Sequence, residues 1–297
     1  MAKKLRIAIH DSNRNEMPPH GVIQATAWIA YEVAEAMAKR GHDVTLFAAK
    51  GTKTKVRLVT GGAEPAVRTP IAKYLRREPQ SVMYRERERA WTLYESLTIS
   101  EIYKRHKAKR FDVLHFNRVH YAIPFSRVSD APHLFTIHDP ASPLHTFLLK
   151  KYSKSNTHFV SISRRQRELS PELRWFRTIH NGTDINHFKY SDSPDDHVMF
   201  AGRIASEKGP HRAIIAANKA GVPIRVYGTP AFQTAQQTDF WEEEIAPRIN
   251  RGVSYEGLVS RRRLAAEYAK ARAVLMPITW EEPFGLVAIE AMACGTP

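Results

Sequence analysis

The chain has 297 residues, with 45 Lys and Arg against 30 Asp and Glu, a formal charge of +15 at neutral pH. Its hydrophobic content of 43% can build a large core and excludes wholesale disorder, and at roughly 100 to 200 residues per domain the length suggests two domains. No apolar run approaches the roughly 18 to 20 residues of a membrane-spanning helix, MAKKLRIAIHD meets charge too soon for a signal peptide, and the single Cys294 excludes an internal disulfide and a cysteine-built metal site; a cytoplasmic protein is expected.

Short apolar runs at 5–10, 43–47, 113–116, 134–138 and 159–162, set at helix-length separations, read as buried parallel strands. Between the first two, residues 23–40 place Ile29, Val33, Ala36 and Met37 on one helical face and stop at Gly41, giving strand, helix, strand. Residues 68–110 hold the densest charge: Arg76, Arg77, Arg85, Arg87, Arg89, Lys104, Arg105, Lys107, Lys109 and Arg110 surround Met83, Trp91, Leu93, Leu97, Ile99 and Ile102, the pattern of one or two basic amphipathic helices. Up to Ile185 there are 32 Lys and Arg against 17 Asp and Glu, and beyond it 13 against 13, so the whole excess lies in the first part. A solvated face, partly neutralised by Arg85-Glu86-Arg87-Glu88-Arg89, is one explanation. An anionic membrane surface, an anionic acceptor and nucleic acid follow in that order. With no recognisable reading motif, nucleic acid is not expected as a partner.

A second series places strands at 198–201, 224–227, 253–255 and 274–276, with helices at 210–220, 240–249, 261–271 and 284–293. Alternating strands and helices imply parallel sheets with right-handed crossovers, and two series imply two Rossmann-like domains, 1–185 and 186–297, joined through the polar stretch 186–196. In such sheets ligands bind beyond the carboxyl ends of the strands, so the residues just after each strand matter most.

After the strand at 198–201, Gly202-Arg203 leads through Lys208-Gly209-Pro210 into a helix. Arg203, as a fork, and Lys208, as a mobile point charge, can converge on one anion such as a pyrophosphate; a helix cap with two solvent-facing cations is the plainer alternative. Near the C-terminus, Pro283 and Gly285 mark a turn after the strand at 274–276, which puts the amides of Gly285, Leu286 and Val287 at a helix N-terminus, where phosphate is favoured. Glu282 precedes this helix and Glu290 lies in it. A carboxylate accepting from two ribose hydroxyls is an efficient nucleotide contact. Either Glu alone reads as an ordinary surface carboxylate; both around Pro283-Phe284-Gly285 do not.

Glu282-Pro283-Phe284-Gly285-Leu286 through Glu290-Ala291-Met292-Ala293-Cys294-Gly295-Thr296-Pro297 resembles the E-x7-E motif of family 4 retaining glycosyltransferases. Gly202-Arg203 with Lys208-Gly209 is similar to that family's phosphate-binding element, residues 40–48 to its first helix-to-strand junction, and His180-Asn181-Gly182-Thr183-Asp184 with Phe188 to the segment entering its interdomain linker. The resemblance covers nearly the whole chain. It implies an α/β protein of the GT-B fold, two Rossmann-like domains with parallel sheets facing a cleft. The first lies on the acceptor side and the second binds a nucleotide sugar.

On these positions the resemblance implies that Arg203 and Lys208 neutralise the donor diphosphate, Glu290 holds the ribose and Glu282 contacts the transferred sugar, with Phe284 and the amides of Gly285, Leu286 and Val287 beside it. His138 matches the N-domain histidine that faces the sugar. The implied reaction retains configuration at the anomeric carbon, with the leaving phosphate helping to deprotonate the acceptor on the same face; there is no D-x-D motif, and neither a metal nor a cofactor is expected. The donor expected is a nucleotide-activated hexose, with UDP-glucose as a candidate; the acceptor is left open.

Two departures from the family stand out. In place of a glycine-rich first loop the chain has Pro18-Pro19-His20-Gly21-Val22-Ile23, where only Gly21 matches, as a substrate-loop residue. The family also normally continues beyond Gly295-Thr296-Pro297, so a shortened second domain is expected, with an exposed sheet edge that a protein partner or self-association would cover. The alternative to an enzyme is therefore a non-catalytic or partner-dependent nucleotide-sugar-binding protein. A peripheral contact with an anionic membrane is expected at 68–110.

Overall fold

The computed structural model describes residues 3–19, 24–74, 82–109, 111–140, 142–230 and 239–297. They fall into two compact units, which meet in sequence at Asn181 and Gly182.

The first unit is a seven-stranded sheet in the order β3-β2-β1-β4-β5-β6-β7, parallel throughout. Its strands are β1 (Arg6–His10), β2 (Asp43–Phe47), β3 (Arg57–Val59), β4 (Val113–Phe116), β5 (His133–Ile137), β6 (Thr157–Ser161) and β7 (Trp175–Thr178). Four consecutive residues of β1 and of β2 are buried, because a parallel sheet covered on both faces has no solvent side. The chain runs outward from β1 in one direction and returns to its other side at β4, so the strand order reverses between them.

Among the described residues, α1 (Ala25–Lys39), α2 (Val82–Lys109), the short α3 (Val119–Ala122), α4 (Pro143–Tyr152) and α5 (Arg164–Leu169) cover the sheet. In α1 the buried stripe is Ala27, Ala30 and Ala34, with Val33 and Met37 only flanking it and Ala36 exposed. Small side chains let the helix lie close to the sheet, which the expected Ile29–Met37 face did not anticipate. The basic segment forms one helix. Its buried face is Trp91, Glu95, Thr98, Ile99 and Ile102, while Leu93 and Leu97 are 72% and 48% exposed. Arg105 pairs with Glu101 at 2.6 Å. Arg76, Arg77 and Arg110 lie outside the described residues.

The second unit holds a three-stranded parallel sheet, β10-β9-β8, from β8 (Val198–Ala201), β9 (Ile224–Tyr227) and β10 (Val253–Gly257). Its helices are α6 (Pro210–Lys219), α7 (Arg261–Tyr268) and α8 (Leu286–Ala293). The strand expected at 274–276 is a single bridge, Val274 beside Met199: the Met199 amide donates to Ala273 O and the Leu275 amide to Met199 O, and the next donor in register would be Pro277, which has no N–H. That bridge still brings the chain back to the far side of β8, so this sheet also reverses its order there. The helix expected at 240–249 is a π-helical turn (Trp241–Ile245) followed by a 3-10 turn (Ala246–Arg248), since Pro247 cannot continue the hydrogen-bond ladder. Among the described residues no helix is long and apolar enough to cross a membrane.

Candidate functional site

The reversal point of the second sheet is flanked by two connections, 202–209 after β8 and 276–285 after the bridge. They are tied together, since the Thr279 amide donates to Glu207 O at 2.9 Å. Gly209, at φ 73°, caps α6, and a Cβ there would collide with the Pro277 carbonyl. Pro210 follows at the first helical position, where its missing N–H costs nothing.

This junction sets Lys208 against Glu282. The Lys208 ammonium bonds the Glu282 carboxylate, both side chains being 19% exposed. The Trp280 indole donates to the same carboxylate oxygen at 2.9 Å, and Lys208 Nζ stands 4.5 Å from the centre of the Trp280 ring. Arg203, on the same connection, pairs with Glu207 at 3.3 Å. Gly285, at φ 88°, caps α8, a left-handed turn that a side chain would strain. The amides of Gly285, Leu286 and Val287 thus stand at the start of α8, beyond the reach of an intrahelical acceptor. Phe284 precedes them in the same turn.

Glu290, on α8, belongs to a second pair. Arg261 Nη2 is 3.5 Å from its Oε1 and donates to Thr183 Oγ1 at 2.6 Å, and the guanidinium lies 5.8 Å over the Phe188 ring. Arg261 opens α7, whose first three residues are all arginine, a placement the helix dipole disfavours and acidic partners offset. Arg263 takes Glu256 at 3.2 Å. Sequence reasoning missed Arg261 and Trp280. Basic residues at a helix N-terminus were the one available signal for Arg261.

In the first unit the reversal point lies between β1 and β4, and the residues following both strands are polar. His10, Asp11, Ser12 and Asn13 are buried, and α2 supplies Glu95 beneath them. The Glu95 carboxylate accepts from Ser12 Oγ at 2.7 Å and from the Asn13 amide at 2.9 Å, and lies 3.5 Å from His10 Nε2. Burial opposes the charged form of His10, yet Glu95, the Phe47 carbonyl and Asp11 together hold its pKa above the ordinary value. Asp11 is held above the ordinary carboxylate range by burial, against the pull of Arg118, whose Nε is 3.7 Å away.

His138 follows β5 directly. The carbonyls on either side of it, Ile137 O and Asp139 O, both accept from the buried Gln166 amide, at 3.0 and 2.9 Å. Its Nε2 is 2.9 Å from Asn117 Oδ1, and Asn117 Nδ2 donates to His10 O at 3.4 Å, which fixes the amide orientation. Nε2 therefore carries the hydrogen and Nδ1 is left as an acceptor. Burial, with Arg118 and His115 adding to it, lowers the His138 pKa to about 3, so the ring is neutral at neutral pH. Gly21 lies outside the described residues. Asn117 and Arg118 were missed, although they directly follow the strand at 113–116.

Two parallel-sheet units, each with polar groups gathered where its strand order reverses, make the arrangement of a GT-B glycosyltransferase. Residues 26–187 match the family model Glycosyltransferase Family 4 and residues 183–297 that of Glycosyl transferases group 1; the chain belongs to this glycosyltransferase family. A glycogen synthase of Mycobacterium tuberculosis is 26% identical over 320 residues, covering 95% of this chain and 75% of that protein. A D-inositol 3-phosphate glycosyltransferase of an Arthrobacter species is 34% identical over 106 residues, 34% of this chain and 25% of that one. Among solved structures, sucrose-phosphate synthase from Thermosynechococcus elongatus has a TM-score of 0.74 at 19% identity, covering 99% of this chain and 80% of its own. Anabaena HepE in complex with UDP-glucose has a TM-score of 0.67 at 17% identity, with 99% and 79% covered.

Proposed function

We propose that this glycosyltransferase transfers a hexose from a nucleoside-diphosphate sugar to an acceptor, with retention at the anomeric carbon and without a required metal. The second unit is the donor domain and the first serves the acceptor. The observation that carries this reading is the joining of Lys208 to Glu282 beside the first amides of α8, at the reversal point of the sheet.

With no anion present, Lys208 and Glu282 neutralise one another. An arriving diphosphate takes the Lys208 ammonium, with Arg203 as a second cation. Glu282 then accepts from sugar hydroxyls while Trp280 continues to orient it, and Glu290 accepts from the ribose hydroxyls. Leaving of the diphosphate develops negative charge that Lys208, Arg203 and the amides of Gly285, Leu286 and Val287 stabilise. These groups supply the countercharge, so the reading invokes no metal. Glu282 is given no nucleophilic role; the leaving phosphate takes the acceptor proton on the same face. His138 Nδ1 accepts from a hydroxyl of the transferred sugar. UDP-glucose is the candidate donor, supported by the complex of HepE and in keeping with the glycogen synthase relative.

Thermal unfolding with UDP, GDP and their sugars tests the reading. A ligand at a hundred times its dissociation constant adds about 2.7 kcal/mol, a readily measured rise in Tm. Lys208→Ala should weaken nucleotide binding roughly a hundredfold, as loss of a charge-assisted contact implies, and abolish turnover. No shift with any nucleotide overturns the proposal, and binding without sugar hydrolysis or transfer would make the protein a nucleotide-sugar binder.

A further inference from the structure

The apolar face of α4 is turned outward. Leu144, Phe147 and Leu148, at helical spacings of three and four, are 68%, 55% and 45% exposed, while Thr146 and Leu149 on the other face are buried against the unit. Thr146 Oγ1 bonds Ser170 Oγ at 2.6 Å beneath it, so the helix is anchored with its large apolar side chains outside. An ordinary surface helix has the reverse arrangement.

The charge around this face is predominantly positive. Residues 140–167 contain six Lys and Arg and no Asp or Glu, with Asp130, Asp139 and Glu168 just outside that span and Glu168 paired with Arg165 at 3.5 Å. Lys150 and Lys151 are exposed at the C-terminal end of α4, and Lys151 Nζ lies 5.4 Å over the Phe147 ring. Lys154 donates to Arg127 O at 3.2 Å, which sets the exposed Arg127 and Val128 beside the helix. Apolar side chains rimmed by cations suit a surface that is itself apolar beneath an anionic layer.

We propose that α4 is a docking face for an anionic lipid bilayer, with Leu144, Phe147 and Leu148 entering the headgroup boundary and Lys150, Lys151 and Lys154 meeting lipid phosphates. This face is separate from the segment 68–110 at which a membrane contact is also expected, where Leu93 and Leu97 are exposed and Glu101 takes Arg105. It stands independently of the donor reading.

Sedimentation of the full chain with vesicles of phosphatidylcholine, alone or with about one third phosphatidylglycerol, tests it. The protein should sediment with the anionic vesicles only, and less as salt rises. Lys150→Ser with Lys151→Ser should weaken binding by about fivefold per cation. Phe147→Ser with Leu148→Ser should remove most of it, and both variants should unfold at the wild-type temperature because the replaced side chains are exposed. Lys104→Ser with Lys107→Ser on α2 should bind like wild type. Equal sedimentation with both vesicle types, full binding by the Phe147 and Leu148 variant, or an equal loss in the α2 variant overturns the proposal. So does a wild-type dimer that the apolar variant dissolves while neither protein binds vesicles, since a second copy would then cover the face.

Discussion

The two reversal points carry similar residues in different states. In the second unit Lys208 with Glu282, Arg203 with Glu207 and Arg261 with Glu290 are separate pairs, each partly exposed, so a ligand can take the place of one partner without stranding a charge in the interior. In the first unit His10, Asp11 and Glu95 are wholly buried and share partners, and Arg118 answers to Asp11, Asp139 and Glu95 together. Exchangeable pairs suit binding, whereas a buried network fixes the shape of a loop. The comparison also bears on the chain's positive excess. That excess lies before Ile185, yet the strand ends there gather carboxylates around Arg118, so the charge is not spent on them.

The sharpest way to break this comparison is Glu95→Ala. It would leave Ser12 Oγ, the Asn13 amide and His10 without their shared acceptor in a buried place. A loss of about 3 to 5 kcal/mol is expected, as for other buried charges left without a partner, and denaturant unfolding measures it. Glu95→Gln, which keeps an acceptor oxygen, should cost less. A loss near 1 kcal/mol for the Ala variant would put Glu95 in the same class as the exposed pairs.

Most strands were legible because buried parallel strands are continuous apolar runs. Two were not: β3 is three residues long and β7 exposes Phe176 and Arg177, so neither edge strand carries such a run. In α2 the apolar pattern misassigned Leu93 and Leu97, because the true buried face contains Glu95 and Thr98, which periodicity counts as polar. Lys208, Glu282, Gly285 and Glu290 sit in local motifs and could be named from sequence. Arg261 and Asn117 reach their partners through the fold, and local spacing carries no signal for such contacts, whereas Arg203 meets Glu207 at the local spacing of four.

Arg261 allows a finer test. If Glu290 accepts from ribose hydroxyls, Arg261 acts through it as a positioning residue, and Arg261→Met should lower UDP affinity about tenfold, or ~1.4 kcal/mol, in titration calorimetry. The same variant should bind 2′,3′-dideoxy-UDP as wild type does, since no ribose hydroxyl then reaches Glu290. Arg261→Lys should recover part of the loss, though without the fork that reaches Thr183 as well as Glu290. Equal weakening toward both nucleotides would make Arg261 a residue of the fold only.

The smallest expected effect is the pH dependence of the buried network. His10 packs edge-on against Phe116, its Nδ1 lies 2.9 Å from Phe47 O, and the charged groups facing it are Glu95 from α2 and the adjoining Asp11. Its pKa in the folded state lies above the ordinary value of 6.5, so the fold binds this proton more tightly than the unfolded chain does. The resulting stability is complete below the unfolded value and is lost as pH rises through the folded one. Unfolding free energies of wild type and His10→Gln, compared from about pH 6 to about pH 9, should therefore converge as pH rises. Subtraction of the two cancels Cys294 and the other shared groups that do not act on His10; Asp11 and Glu95, which do, remain part of the difference. A difference that holds constant or widens with pH would mean that His10 is neutral beside Glu95, and that the network in the first unit is a hydrogen-bonded one with a single buried charge at that position.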